Sequence, residues 1–283
     1  MISSPMPRAV RFMGMLGAIV LACSTCGSSG SPGPQSPSAG GAVSSPSVIA
    51  SPVPIAPSSA PPSTEAIDRN PAAFVEGQPY SVKVDPADFV AVVDNSFMPL
   101  TPGTTFSYEG AERIEVTVMD ETKTILGVPT TVVRDRVFER GALVEDTLDW
   151  YAQDGHGNVW YFGEQTAEYK DGKIVSTSGS WEAGVDGAQP GIIMLAEPQA
   201  GDAYRQEYYA GEAEDLAEVI GPGQAITVPF DEFDATLVTE EWTPLEPAIR
   251  ERKTYARGVG LVEARTIKGG DDVVQLAELR PGA

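Results

Sequence analysis

The chain has one histidine and two cysteines among its 283 residues, and only 19 basic residues against 40 acidic ones. A single histidine disfavours His-ligated metal centres and His-activated nucleophiles. Two cysteines are too few for a disulfide-stapled small fold or a cysteine-rich zinc module. The formal charge of −21 excludes ordinary nucleic-acid binding, because phosphate contacts need a clustered basic face.

The common catalytic motifs are missing as well. The sequence has no Gly-x-Ser-x-Gly elbow, no phosphate-binding glycine loop and no His-Glu-x-x-His motif. The preferred hypothesis is therefore a non-enzymatic binding module for an apolar, glycan or cationic ligand. Two alternatives stay open: a carboxylate-based hydrolase of cell-wall or extracellular polymer, and a structural or adhesive surface protein.

Residues 1–22 have the pattern of an export signal. Arg8 and Arg11 precede the apolar run Phe12–Ala22, which at 11 residues is too short to span a bilayer, where about 20 are needed. The run ends in Val20–Cys23, which resembles the lipobox of bacterial lipoproteins. The sequence thus predicts a signal peptide that ends at residue 22 and an extracytoplasmic protein.

The lipobox resemblance implies that Cys23 is lipidated and becomes the new N-terminus. We therefore expect an N-terminal lipid anchor that holds the protein on the outer face of the cell membrane. Cys26 does not fit the motif and is interpreted as a free thiol. The alternative is an ordinary secretory signal that is cut nearby and leaves both cysteines as thiols.

Residues 23–64 are predicted to form a disordered tether. After the cysteine at position 23, 32 of 41 residues are Ser, Pro, Gly or Ala, and none is charged. Such a segment buries too little apolar surface to offset the entropy of ordering. Residues 65–283 then form one acidic domain, expected to be monomeric, which carries all 40 acidic residues against 17 basic ones.

The domain is predicted to be mainly β. Short runs rich in Val, Thr, Ile, Tyr and Phe alternate with turn signals every 8–12 residues, and no long stretch has helical periodicity. This favours an antiparallel meander of about 10–13 strands rolled into a barrel, half-barrel or sandwich. Asp85–Phe89 predicts one capped helical turn, and Ala210–Ile220 fits either a short helix or the entry into a strand.

The segment Asp149–Glu164 has the densest functional signal, and it predicts a β-hairpin that turns at residues 154–158. Strand alternation separates Trp150 from Tyr151, and likewise Trp160 from Tyr161. One set of aromatic side chains can fill the core, and the other is either covered by a neighbouring element or exposed as a ligand platform.

The hairpin turn and its neighbours supply further candidates. Asp154, His156 and Asn158 alternate as the ligands of calcium loops do, which makes Asp154 and Asn158 candidate calcium ligands. A hairpin turn needs the same residue types, so the spacing has a structural explanation as well. No cofactor other than calcium is expected. His156 itself is interpreted as a turn residue. A glycine-rich loop carries Trp181, Glu182 and Asp186, which with Glu164 and Asp149 would make a carboxylate-and-tryptophan site, as glycoside hydrolysis requires. The predicted ligand-binding residues are Trp150, Tyr151, Trp160, Tyr161, Glu164, Trp181, Glu182 and Asp186.

A third acidic group comprises Glu207, Glu212, Glu214 and Asp215. A solvated acidic face is the expected arrangement, with a calcium patch as the alternative.

Several strings resemble a group of secreted or lipid-anchored bacterial proteins that is common in actinobacteria. They are Asp149–Glu164 (DWYAQDGHGNVWYFGE), Gly179–Gly191 (GSWEAGVDGAQPG), Tyr204–Tyr209 and Asn95–Tyr108. Tyr255–Val262 is similar to the closing hairpin of a broader set of envelope lipoproteins with β-roll domains. The resemblance covers residues 94–279. It implies location and fold class, and it implies no activity or functional residues.

Overall fold

A computed structural model describes residues 69–282 of the chain, and these residues fold almost entirely into strands. Between residues 70 and 282 the one helical element is the 3-10 turn Pro86–Asp88, as predicted. Asp85 precedes this turn, and its carboxylate accepts a hydrogen bond from the Ala87 amide at 3.1 Å. The predicted signal peptide, lipidation site and tether lie outside the described residues.

The strands in chain order are β1 (Phe89–Val90), β2 (Asp94–Asn95), β3 (Met98–Pro99), β4 (Thr105–Gly110), β5 (Arg113–Ile125), β6 (Val128–Glu139), β7 (Ala142–Asp154), β8 (Val159–Lys170), β9 (Lys173–Ser176), β10 (Trp181–Glu182), β11 (Gln189–Met194), β12 (Ala203–Arg205), β13 (Glu207–Tyr208), β14 (Leu216–Pro222), β15 (Ile226–Thr227), β16 (Glu232–Phe233), β17 (Thr236–Trp242), β18 (Arg250–Ala256), β19 (Gly260–Lys268) and β20 (Val273–Arg280).

Thirteen of these strands form one continuous antiparallel path. Its order is β12, β14, β17, β18, β19, β20, β4, β5, β6, β7, β8, β11 and β13, with β1, β9 and β10 attached at the side. Most neighbours are consecutive in the chain, as in a meander. The C-terminal β20 pairs with β4, so that Leu276 lies opposite Tyr108. The predicted fold class is confirmed.

The two ends of this path meet, so the sheet forms a nearly closed barrel. β12 ends at Arg205 and β13 begins at Glu207, with only Gln206 between them. At this bend the chain passes so close to Gly191 that a Cβ atom there would lie 2.4 Å from the carbonyl carbon of Gln206. Only glycine tolerates such an approach, and the bend therefore depends on Gly191.

The long hairpins place apolar side chains inside the barrel and ion pairs outside. Along β5, Ile114, Val116 and Val118 are buried while the residues between them are only half-buried. On the outer face, Glu115 lies opposite Arg136 and pairs with it at 2.6 Å. This alternation orients the strands, because a slip of one residue would bury the charges.

Of the two predictions for Ala210–Ile220, the strand is confirmed and the helix is wrong. Glu218 pairs with Ala203 on one side and with Glu240 on the other. Pairing on both sides satisfies the backbone groups that a helix would use internally. Among residues 69–282, no helix has the length and apolar character needed to cross a membrane.

Candidate functional site

The segment Asp149–Glu164 forms the predicted hairpin, in which β7 and β8 flank the turn at residues 154–158. The Asp154 carboxylate accepts four hydrogen bonds: from the amides of His156 and Asn158, from the Asn158 side chain and from the Trp160 indole N–H, all at 2.8–2.9 Å. The side-chain oxygen of Asn158, Oδ1, accepts a hydrogen bond from the Ala196 amide at 2.9 Å. The side-chain oxygens of both proposed calcium ligands are therefore engaged in hydrogen bonds within the protein.

No group of three or more His, Cys, Asp or Glu side chains in residues 69–282 is arranged to hold a metal ion. The calcium alternative thus depends on the sequence spacing alone.

The outer face of the hairpin carries Trp150 and Trp160, and neighbouring elements cover both. The Lys123 ammonium lies 3.2 Å from the centre of the Trp150 ring, and it also pairs with Glu182 at 2.7 Å. Phe89 packs edge-on against Trp160, with 6.1 Å between ring centres. Each tryptophan is at most 5% exposed. Neither ring is an exposed stacking platform; both are covered by neighbours, the other outcome that the alternation allowed.

The inner face of the hairpin places polar and aromatic side chains in two rows. In the first row, Asp149, Glu164 and Trp181 lie side by side on β7, β8 and β10. In the second row, Tyr151 lies opposite Tyr161, and their rings stack with centres 4.9 Å apart. Four predicted site residues, Tyr151, Tyr161, Glu164 and Trp181, are thereby brought together inside the barrel.

A β-bulge at Gly163 makes this arrangement possible. Tyr161 and Glu164 are three residues apart, and in a regular strand an odd separation places side chains on opposite faces. The ladder between β7 and β8 shifts register after Asp149, and Gly163 adopts a φ of 131°. The extra residue returns Glu164 to the inner face beside Tyr161.

Glu207 completes the group that we name the inner carboxylate site: Asp149, Tyr151, Tyr161, Glu164, Trp181 and Glu207. Its side chain was expected on a solvated face, but it is fully buried and Asp215 is buried too, so that prediction is wrong for these two residues, while Glu212 is exposed. The bend beside Gly191 carries Glu207 over the sheet until it faces the Trp181 indole. Nothing local in the sequence reveals this, because the contact depends on barrel closure.

The inner carboxylate site favours protonated carboxyl groups. Burial raises the pKa of Asp149 to about 7, although the Tyr161 hydroxyl, which donates to Asp149 at 2.7 Å, partly opposes the rise. Burial and then the nearby Asp149 raise the pKa of Glu164 well above its usual value. Burial, and after it the nearby charge of Asp215, likewise raises the pKa of Glu207 well above its usual value.

The predicted hydrolytic carboxylates are brought together only in part. Glu164 faces the barrel interior, whereas Glu182 follows Trp181 on the opposite face and binds Lys123. Asp186 lies exposed in a turn, with a φ of 50°. Trp181 lies opposite Glu164 and shares its face. Glu182 is the next residue of β10, so strand alternation turns its side chain to the outer face, away from Glu164. Among the predicted acids, Asp149 alone joins Glu164.

A ligand-sized cleft opens on the outer side of the hairpin turn. Its volume is about 600 Å³. One wall is the segment 81–89, and the other is formed by residues 154–156 with Trp160. The Gly155 amide donates to the Asp88 carbonyl at 2.7 Å, which ties the two walls together. We name this feature the hairpin cleft. Trp160 and Asp154 in its wall are sequence-predicted candidates, whereas segment 81–89 has no functional motif in the sequence.

No protein-family model and no curated protein matches the chain. Two solved structures show a loose likeness. A protein described as exported, with a YmcC-like fold, from Bacteroides fragilis is 14% identical, with 66% of this chain and all of that one covered and a TM-score of 0.40. A protein described as a lipoprotein, from Parabacteroides distasonis, is also 14% identical, with 66% and 99% covered and a TM-score of 0.36. At this sequence identity and these TM-scores, neither structure assigns a family or a function to this chain.

Proposed function

We propose that this protein is an envelope-anchored binding module, and that the hairpin cleft holds an amphipathic ligand with an apolar body and a hydroxyl-bearing head. The observation that carries the proposal is the cleft itself. Its volume of about 600 Å³ lies within the range typical of small-molecule sites, about 300–1,000 Å³.

The floor of the hairpin cleft suits an apolar body. Val82, Val84 and Phe89 line it, and all three are half-buried against the core. Phe89 is held by pairing with Asp154 on β7 and by its edge contact with Trp160. Contact with these side chains removes apolar surface from water, which contributes about 25 cal/mol per Å².

The rim of the hairpin cleft suits a hydroxyl-bearing head. Lys83 supplies donors, Asp85 and Asp88 supply acceptors, and His156 supplies either. A hydroxyl group both donates and accepts, so it can bond to each of them. An anionic head would meet an acidic excess, because the cleft contains three aspartates, including Asp154, and a single lysine.

The envelope location follows from the predicted signal, lipidated Cys23 and tether, and it is part of the proposal. The predicted tether of 41 residues carries no charge and links Cys23 to the domain in the sequence. The cleft includes Pro71, only a few residues beyond the tether.

The test is a calorimetric titration of the mature chain, which carries Cys23→Ser to prevent lipidation. The probes are octyl glucoside below its micelle concentration and octyl sulfate, which has the same chain and an anionic head. We expect saturable binding of octyl glucoside and at least tenfold weaker binding of octyl sulfate. Equal affinities would overturn the proposed selectivity for a hydroxyl-bearing head, and the absence of saturable binding would overturn the proposal and favour a purely structural role.

A matched pair of variants locates the site. Val84→Asp places a charge in the cleft floor and should weaken octyl glucoside binding at least tenfold. Val175→Asp makes the same change at a residue of β9 that is 58% exposed and lies outside the cleft, and binding should be unchanged. Equal losses in both variants would contradict binding in the cleft.

A further inference from the structure

The inner carboxylate site contains buried polar atoms whose hydrogen bonds are incomplete. Four buried oxygens have no hydrogen-bond partner: Asp149 Oδ2, Glu164 Oε1 and both carboxylate oxygens of Glu207. Two buried donors, the Tyr151 hydroxyl and the Trp181 indole N–H, also lack one. The Trp181 indole N–H and the Asp215 amide lie near enough to Glu207 to favour its ionised form, and the Tyr161 hydroxyl does the same for Glu164, without completing these bonds. Buried polar groups in proteins almost always have partners, so the unpartnered oxygens of this site retain the capacity to accept hydrogen bonds from a further donor.

The surroundings of the site are also acidic. The charges of Asp135 on β6, Glu145 on β7 and Asp215, which directly precedes β14, act on its carboxyl and hydroxyl groups, and each raises their pKa values. The cation that approaches from β18 is Lys253, which faces Asp215 and pairs with Glu241 at 2.7 Å. The negative charge of the site is therefore balanced by protons or by a bound cation.

We propose that the inner carboxylate site binds an ammonium group, either the free ion or the end of a primary amine. Its N–H donors would bond to the unpartnered oxygens of Asp149, Glu164 and Glu207. The rings of Tyr161 and Trp181 meet edge to face in the same group, at 89° with centres 5.4 Å apart. Aromatic faces and carboxylates together are the surroundings that stabilise organic ammonium groups.

An ammonium group fits these residues better than a metal ion does. Calcium and magnesium require oxygens that converge at 2.0–2.6 Å, and no trio of acidic side chains between residues 69 and 282 is so arranged. Ammonium accepts the longer spacing of charge-assisted hydrogen bonds, about 2.7–2.9 Å.

Binding to a protonated site releases a proton. When a carboxylic acid of the site takes up the ammonium group, its O–H bond breaks, the proton passes to solvent and the carboxylate remains as the acceptor. Ammonium binding should therefore strengthen as the pH rises through about 7, the pKa of Asp149.

The experiment measures the melting temperature of the mature Cys23→Ser chain in ammonium, sodium and tetramethylammonium chloride at equal ionic strength, at pH 6 and pH 8. We expect a rise of about 3–6 °C in ammonium alone at tenfold its dissociation constant, and a larger rise at pH 8. Ethylammonium chloride distinguishes the source: an equal or larger shift identifies an amine end, and a smaller one identifies the free ion. Equal melting temperatures in ammonium and sodium at both pH values would overturn the proposal.

Isosteric variants assign the effect to the site. Glu164→Gln and Glu207→Gln remove an acceptor charge without a change in size, and each should lose the ammonium-specific shift. Glu182→Gln, on the outer face, should keep it. If both inner variants keep the full shift, ammonium binds elsewhere and the proposal is wrong. Octyl glucoside binding in the hairpin cleft is measured separately, so either proposal can fail alone.

Discussion

Asp149 and Glu164 lie directly opposite each other on β7 and β8, with both side chains buried inside the barrel. Facing like charges destabilise a sheet, and burial adds the loss of hydration. The sheet accommodates this pair because burial raises the pKa of each carboxyl group and the Tyr161 hydroxyl donates to Asp149. This relationship makes the stability of the barrel dependent on pH.

The first prediction is that the domain loses stability as the pH rises from about 4 to about 7. The folded-state pKa of Asp149 is raised to about 7, so over this range the folded chain holds a proton that the unfolded chain releases. Asp149→Asn should make the fall shallower, by up to about 1.4 kcal/mol per pH unit. Urea unfolding at pH 4, 5, 6 and 7 measures both slopes.

Glu164, Glu207 and Glu251 add to the same trend, because burial raises the pKa of each, that of Glu251 to about 7. Asp149→Asn should therefore reduce the slope without removing it. Identical slopes for the variant and the parent chain would contradict the assignment to Asp149.

The second prediction concerns the bulge at Gly163. A Cβ atom there would lie 2.3 Å from the Trp181 carbonyl oxygen, and φ is 131°. Gly163→Ala should reduce the free energy of unfolding by about 3 kcal/mol or more, since it combines backbone strain with a backbone clash. Chemical denaturation measures the loss.

Gly172→Ala is the matched control, because Gly172 has a φ of 72° and no atom within 4 Å of the added Cβ. It should cost about 1 kcal/mol, from the left-handed backbone alone. Equal costs at the two positions would show that the bulge does not need the close approach.

The third prediction concerns the hairpin turn. Asp154→Ala removes an acceptor of four hydrogen bonds and leaves the buried Asn158 side chain and Trp160 indole without their partner. Each buried donor left unsatisfied costs about 1–3 kcal/mol, so we expect a loss of about 3 kcal/mol in the free energy of unfolding. Asp120→Ala, at an exposed position of β5, should change it by less than about 0.5 kcal/mol. A loss of that small size at Asp154 would contradict its role in the turn.

The fourth prediction tests the anchor. Cys23→Ala should move the expressed protein from the membrane fraction to the soluble extracytoplasmic fraction, because the lipid-bearing thiol is lost. Cys26→Ala should leave it with the membrane. Fractionation followed by immunoblotting measures both, and membrane association that survives Cys23→Ala would show that the anchor lies elsewhere.

Patterns within single strands carried much of the sequence-based prediction. The all-β class, the hairpin at Asp149–Glu164 and the capped turn at Asp85 follow from local alternation, turn chemistry and capping, and all three are present in the structure. The separation of Trp150 from Tyr151 follows from strand alternation as well. These features were accessible because each depends on residues a few positions apart.

The composition of the inner site was decided only by the tertiary structure. Glu164 joins Tyr161 because of one extra residue in β8, and Glu207 reaches Trp181 because the chain bends over Gly191 when the barrel closes. The sequence by itself determined which segments are strands and which residues alternate along them. It did not determine which acids are buried together, because that depends on long-range register and closure, where one inserted residue reverses the face of every side chain that follows.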